Sequence, residues 1–148
     1  MKTMHDSATR NEMIGRLRGL TAETQRVWGT MSAAQMIAHL TDQMRHMLGD
    51  VKANVVPGIR QTAFVRYAAI YWIPWPKGRI KGPVDAFVTK PVSWHQDLDT
   101  LIALVERIGQ RSPEGVWAQH AFFGPMTGHD WGYFCHKHFD HHLRQFGK

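Results

Sequence analysis

The stretch SAAQMIAHLTDQMRHMLG, from Ser32 to Gly49, constrains the fold more than any other. Ala33, Met36, Ile37, Leu40, Met44, Met47 and Leu48 recur at i, i+3, i+4 and i+7. An α-helix gathers such a set on one face, whereas a strand, with its period of two, would scatter it over both. Ser32 and Gln35 have capping-box spacing, with Thr30 as the alternative cap, and Gly49 is a stop signal. The apolar face needs partners, and the chain offers three more helices. Met13, Ile14, Leu17 and Leu20 mark one from about Ser7 to Leu20. Leu98, Leu101, Ile102, Leu104, Val105 and Ile108 mark one from near Ser93 to about Gly109. In a last helix, from about His129 to Phe146, Trp131, Phe134, Cys135, His138 and His142 fall at i, i+3, i+4, i+7 and i+11. Phe139, Leu143 and Phe146 widen that stripe. No segment alternates as a strand does. The expectation is an all-α four-helix bundle with a long crossover, one domain over residues 1–148.

The crossover follows Gly49. DVKANVVPGI reads as a linker and Arg60 to Ile73 as an aromatic-rich, partly helical connection. PWPKGRIKGP, interrupted by three prolines and two glycines, reads as irregular loop. Phe64 to Trp75, with Tyr67, Tyr71 and Trp72, is a candidate dimer interface or hydrophobic ligand pocket.

A chain of 148 residues can bury about 68–70% of its unfolded surface, enough for a core of its own. The opening MKTMHDSATRNEM lacks the apolar run of a signal peptide. The nearest approach to a membrane span, AFVRYAAIYWIPWP, is broken by Arg66 and ended by Pro74. Cys135 is the sole cysteine, so no disulfide forms within the chain and a reducing cytoplasm is expected. The net charge of +6 does not point to nucleic acid, because the basic residues are scattered. Their one local concentration, Lys77, Arg79 and Lys81, reads as a solvated loop. Such a field favours anionic substrates weakly.

His138 and His142, four residues apart, stand one helical turn above each other, about 6 Å in rise and about 40° in azimuth. Two imidazoles so placed can converge on one metal ion, although the general-base Glu of the zincin motif is absent. A catalytic-type zinc site takes three protein ligands. His39, about 120° from the centre of its helix's apolar stripe, is the third candidate, and Gln43 and His46 share its flank. Asp42 and Asp140 are candidate acceptors for an imidazole N–H. The alternative is a pair of partly buried histidines satisfied by backbone or water. His5 and His136 read as surface residues and His95 as part of a helix start. Cys135 reads as a packing residue on the apolar stripe.

WGTMSAAQMIAHL, from Trp28, and HAFFGPMTGHDWGYFCHKHFDHHLRQFG, from His120, together resemble the DinB/YfiT-like superfamily of metal-dependent enzymes, in a branch known only as a domain of unknown function. The likeness covers nearly the whole chain. It implies an up-down four-helix bundle with a long crossover. It also implies a divalent metal, nickel or zinc foremost with iron or another ion possible, on His39, His138 and His142. His141 matches a family histidine that is not usually a ligand, and Arg144 and Gln145 match the polar pair after it. His120 either lines the metal cleft or ties down a loop, the loop being preferred. Trp28, Gly29, Met31 and Ser32 read as the helix start, and Trp131 as core. Relatives include thiol-dependent transferases and an isomerase. The implied function is therefore thiol-linked transferase or hydrolase chemistry on a small molecule, with a low-molecular-weight thiol as co-substrate. The competing expectation is a non-catalytic bundle, dimeric or ligand-binding, with a vestigial site. Neither nucleic acid nor membrane is expected as a partner.

Overall fold

The computed structural model describes residues 1–78 and 87–148. Four long helices carry the fold: α1 (Ser7–Arg18), α2 (Ala33–Leu48), α4 (Trp94–Gly109) and α5 (Gly128–Gln145). Between α2 and α4 lie a 3-10 turn (Ile59–Gln61), the short α3 (Ala63–Tyr67) and a π-helical turn (Ala68–Trp72). No strand occurs among the described residues; a single bridge joins His120 and Gly124. The fold is all-α, as the apolar periodicities require.

Printed contacts fix the helix directions. Arg107 pairs with Asp50, and Arg111 donates to the Leu48 carbonyl, so α2 and α4 end together and run parallel. The Met4 amide donates to the Gly132 carbonyl, while further along Arg16 pairs with Asp140; α1 and α5 are parallel too. His39 meets His138 and His142, but Met44 meets Cys135, so α2 opposes α5. The crossover after Gly49 is what returns the chain along the bundle and lets two successive long helices point the same way.

Three of the long helices begin at a side-chain cap, whereas Ser93 stands at the start of α4 without a capping hydrogen bond from its side chain. Asp6 accepts from the Thr9 amide, and Ser32 and Gln35 form the capping box expected of them. Thr127 and Asp130 form a second box, which starts α5 one residue before His129. Gly49, at φ 80°, closes α2 in the left-handed conformation. Trp131, Phe139, Met13, Leu17, Met36, Ile37, Leu40, Met44 and Leu101 are among the largest fully buried side chains.

α2 departs from the amphipathic reading. All residues from Met36 to Met44 are buried, including His39, Asp42 and Gln43. Its outer flank is covered by the segment after residue 86, which Asp42 ties down. Asp42 accepts hydrogen bonds from the backbone N–H of Val88 (3.0 Å) and of Thr89 (2.9 Å), and a short one from the Thr89 hydroxyl. The expected role of Asp42 as an imidazole acceptor is therefore corrected: three donors from the crossover occupy it. Asp140 is corrected likewise, since Arg16 and Arg144 take its two oxygens at 2.9 Å each. The other end of the crossover is held by Lys137, whose ammonium donates to the carbonyls of Ala69, Ile70 and Ile73 at 2.7–3.1 Å. These acceptors belong to the π-turn and its C-terminal end, where helical carbonyls lack backbone partners. Of the basic loop cluster, Lys77 is exposed; Arg79 and Lys81 lie outside the described residues.

Candidate metal centre

The helix pair α2 and α5 brings three imidazoles together. His39 Nε2 lies 3.0 Å from His138 Nε2 and 3.1 Å from His142 Nε2, and the last two are 2.8 Å apart. All three residues are buried, and they form the one group of three metal-ligand side chains found among the described residues. The positions follow from helix geometry. His138 and His142 are one turn apart on α5, and the antiparallel crossing sets His39 opposite the space between them.

His142 is aimed by its other ring nitrogen. Its Nδ1 lies 2.6 Å from Gln145 Oε1, an oxygen that only accepts. Nδ1 therefore carries the proton, and Nε2 of the neutral ring presents a lone pair to the cluster. That leaves at most two Nε2 protons, on His39 and His138, for three close nitrogen–nitrogen edges. Hydrogen bonds alone cannot satisfy the triangle. Nor can positive charge on the rings: burial, and then the neighbouring His142 and His39, hold His138 well below 6.5, and burial and His39 push His142 down to about 3. Three neutral lone pairs on one point form the donor set of a divalent cation. For nitrogen ligands about 2.0–2.1 Å from a tetrahedral zinc, the ligand–ligand edge is about 3.3–3.4 Å, close to the edges found here. The residues fit a metal ion.

Aromatic rings wall the cluster. Phe87 stacks on His39, with centroids 4.7 Å apart and planes 13° apart. Trp75 packs against both His138 and His141, each at 5.6 Å. Trp75 closes the aromatic stretch read as a candidate interface or ligand pocket, while nothing in the sequence marks Phe87; both sit in the aperiodic crossover, and their place in the fold brings them to the cluster. His141 is half-buried, turned away from the triangle and edge-on to Trp28 at 4.9 Å. Gln43 is buried on α2, and Gln145, the helix residue after Arg144, touches the site through His142.

Other histidines serve the scaffold. His120 Nδ1 accepts the amides of Phe122 (3.0 Å) and Phe123 (3.2 Å), and its burial pushes it down to about 3. This is the loop-tying role. His46 is buried, with Nδ1 3.2 Å from the Val51 carbonyl past the far end of α2. His5 and His136 are half-buried rather than surface residues, and His5 Nε2 donates to the Gly128 carbonyl at 2.7 Å. Cys135 is buried with its thiol against Met44 Sδ at 3.5 Å, and burial pushes the thiol far above its usual range. No described helix is long and apolar enough to cross a membrane.

The chain is an all-α bundle with a buried trio of histidines on two opposed helices, a group that could hold a metal ion. The family model described as the DinB superfamily matches residues 5–146, and the chain belongs to that superfamily. No curated protein and no solved structure matches it.

Proposed function

We propose that the chain is a metal-dependent enzyme in which His39, His138 and His142 hold one divalent ion, nickel or zinc foremost, and a small molecule reacts there with a water or a low-molecular-weight thiol. The observation that carries this reading is the triangle of Nε2 atoms with edges of 2.8–3.1 Å. An ion held by three neutral imidazoles keeps its full charge and a free position, and so makes a bound water or thiol more acidic and more nucleophilic. The chain's own residues do the rest. Gln145 keeps the proton of His142 on Nδ1 and its Nε2 lone pair aimed inward. Phe87 and Trp75 exclude water from two sides of the cluster. Among the described residues no carboxylate joins the triangle. The chemistry is transferase or hydrolase in type.

Metal content of purified protein tests the proposal. Wild type should hold about one equivalent of divalent ion; His142→Ala should lose most of it, and His141→Ala little. Equal retention by wild type and the variant with alanine at positions 39, 138 and 142 would refute the assignment. Consumption of glutathione-type thiols by metal-loaded protein, set against metal-free protein, then tests the reaction class.

One observation favours a second reading, a bundle that acts as a dimer. Phe64, Trp72 and Ile73 are exposed on one short stretch, at 73%, 65% and 55%. Exposed apolar surface of this kind marks contact sites. A monomer by light scattering at working concentration would remove that reading.

A further inference from the structure

A cleft of about 520 Å³ opens beside His39, within the range of about 300–1,000 Å³ usual for small-ligand pockets. Its wall is the segment that Asp42 pins to α2, so Phe87, Thr89 and Lys90 stand at fixed places along it. Facing them are Thr30, Met31 and Gln35, from the start of α2 and the turn before it. The polar groups here are a biased set. Lys90 is a cation with no ion-pair partner among the described residues, and it is exposed. The Gln35 amide oxygen already accepts from the Ser32 N–H at 2.8 Å, which leaves its NH₂ to donate. Asp42, the acid behind the wall, is taken up by three donors, and no acid is among the described residues that line the cleft. Phe87, stacked on His39, and Met31 supply apolar surface in the same cleft.

We propose that this cleft selects a small organic anion, with its acidic group on Lys90, its apolar body against Phe87 and Met31, and its reacting end at His39. The inference rests on the reading of the three histidines as the reaction centre, and it adds the class of substrate. A cation at one end and the metal-ligating cluster at the other reward a molecule with an anionic head and a reactive tail. They favour it over its neutral and cationic counterparts, because a neutral head gains no attraction from the lysine and a cationic head is repelled by it.

The test uses three probes of equal length, hexanoate, hexanol and hexylammonium, titrated by calorimetry into the full chain at low salt. Hexanoate should bind about two- to fivefold more tightly than hexanol, the range of an exposed ion pair, and hexylammonium least. Lys90→Gln should erase that preference and Lys90→Arg should keep it. Lys52→Gln, which removes the same charge beyond the far end of α2, should leave it intact. Because hexanoate could also meet the metal directly, the series is repeated on metal-free protein with alanine at positions 138 and 142, where the preference should persist. Equal binding of hexanoate and hexanol overturns the proposal. So does a preference that survives Lys90→Gln, or one that vanishes with the metal while Lys90 is intact. Metal content of the same wild-type sample is an independent readout: absence of the ion refutes the reading of the centre, not the anion selectivity of the cleft.

Discussion

Gly29→Ala probes the contacts that aim His142. Gly29 sits at φ +86°, and a Cβ built there would stand 2.6 Å from Gln145 Nε2. Gln145 cannot simply swing aside: it is buried, and its Oε1 holds His142 Nδ1 at 2.6 Å. Ordinary contact begins at 3.4 Å, so the amide must retreat by about 0.8 Å; a hydrogen bond stretched by that much passes the usual limit of about 3.2 Å. Gly49→Ala is the control, because Gly49 has a similar φ of +80° and nothing within 4 Å of its Cβ position. Both variants lose about 1–2 kcal/mol to left-handed strain. Gly29→Ala should lose about 0.5–1.5 kcal/mol more for the hydrogen bond, and its metal affinity should fall about 10–100-fold as His142 is freed to turn. Urea denaturation of metal-free protein reads the first difference; competition against a chromophoric chelator reads the second. If the two alanine variants match each other in both assays, Gln145 does not orient the ligand and the reasoning fails.

The parts of this protein legible in its sequence were those written in a period. The stripe from Ala33 to Leu48 placed α2, and the interval between His138 and His142 placed two imidazoles on one face of α5, because helix geometry turns spacing directly into direction. His39 was harder. It lies off the apolar stripe of its own helix, and only a neighbour covering that flank can bury it. That neighbour is the crossover around Phe87 and Thr89, held by Asp42, and nothing periodic in PWPKGRIKGP and the residues after it announces such a strap. Asp42 and Asp140 were misread for a related reason: an acid one turn from a histidine can reach an imidazole, but donors brought by remote segments reach it first. The competitors 46 and 124 residues away were out of sight in the sequence, whereas Arg144, four residues from Asp140, was in view.

Three further outcomes follow from buried groups. Cys135, enclosed beside Met44 with its thiol far above the usual range, should react with a thiol reagent only as fast as the protein unfolds; rapid labelling of the native state would count against its packing role. Lys137→Met removes donors from the three carbonyls of the π-turn and its end. It should raise hydrogen exchange in residues 68–73 while leaving α1 protected, and uniform exchange across both would argue that the lysine holds nothing locally. In metal-free protein the buried His120, which faces His46 and His138, contributes to the pH dependence together with His138 and His142, which burial lowers as well. The folded value of His120, about 3, lies below the unfolded 6.5. The unfolded chain therefore takes up a proton that the folded chain refuses, and stability present above pH 6.5 is lost progressively as the pH falls toward 3. One such histidine contributes a slope of up to about 1.4 kcal/mol per pH unit. His120→Asn keeps an acceptor for the Phe122 and Phe123 amides but cannot titrate. Between pH 6 and 4 it should therefore lose stability less steeply than wild type in urea melts, and parallel slopes would mean that His120 takes up its proton without unfolding the loop it ties.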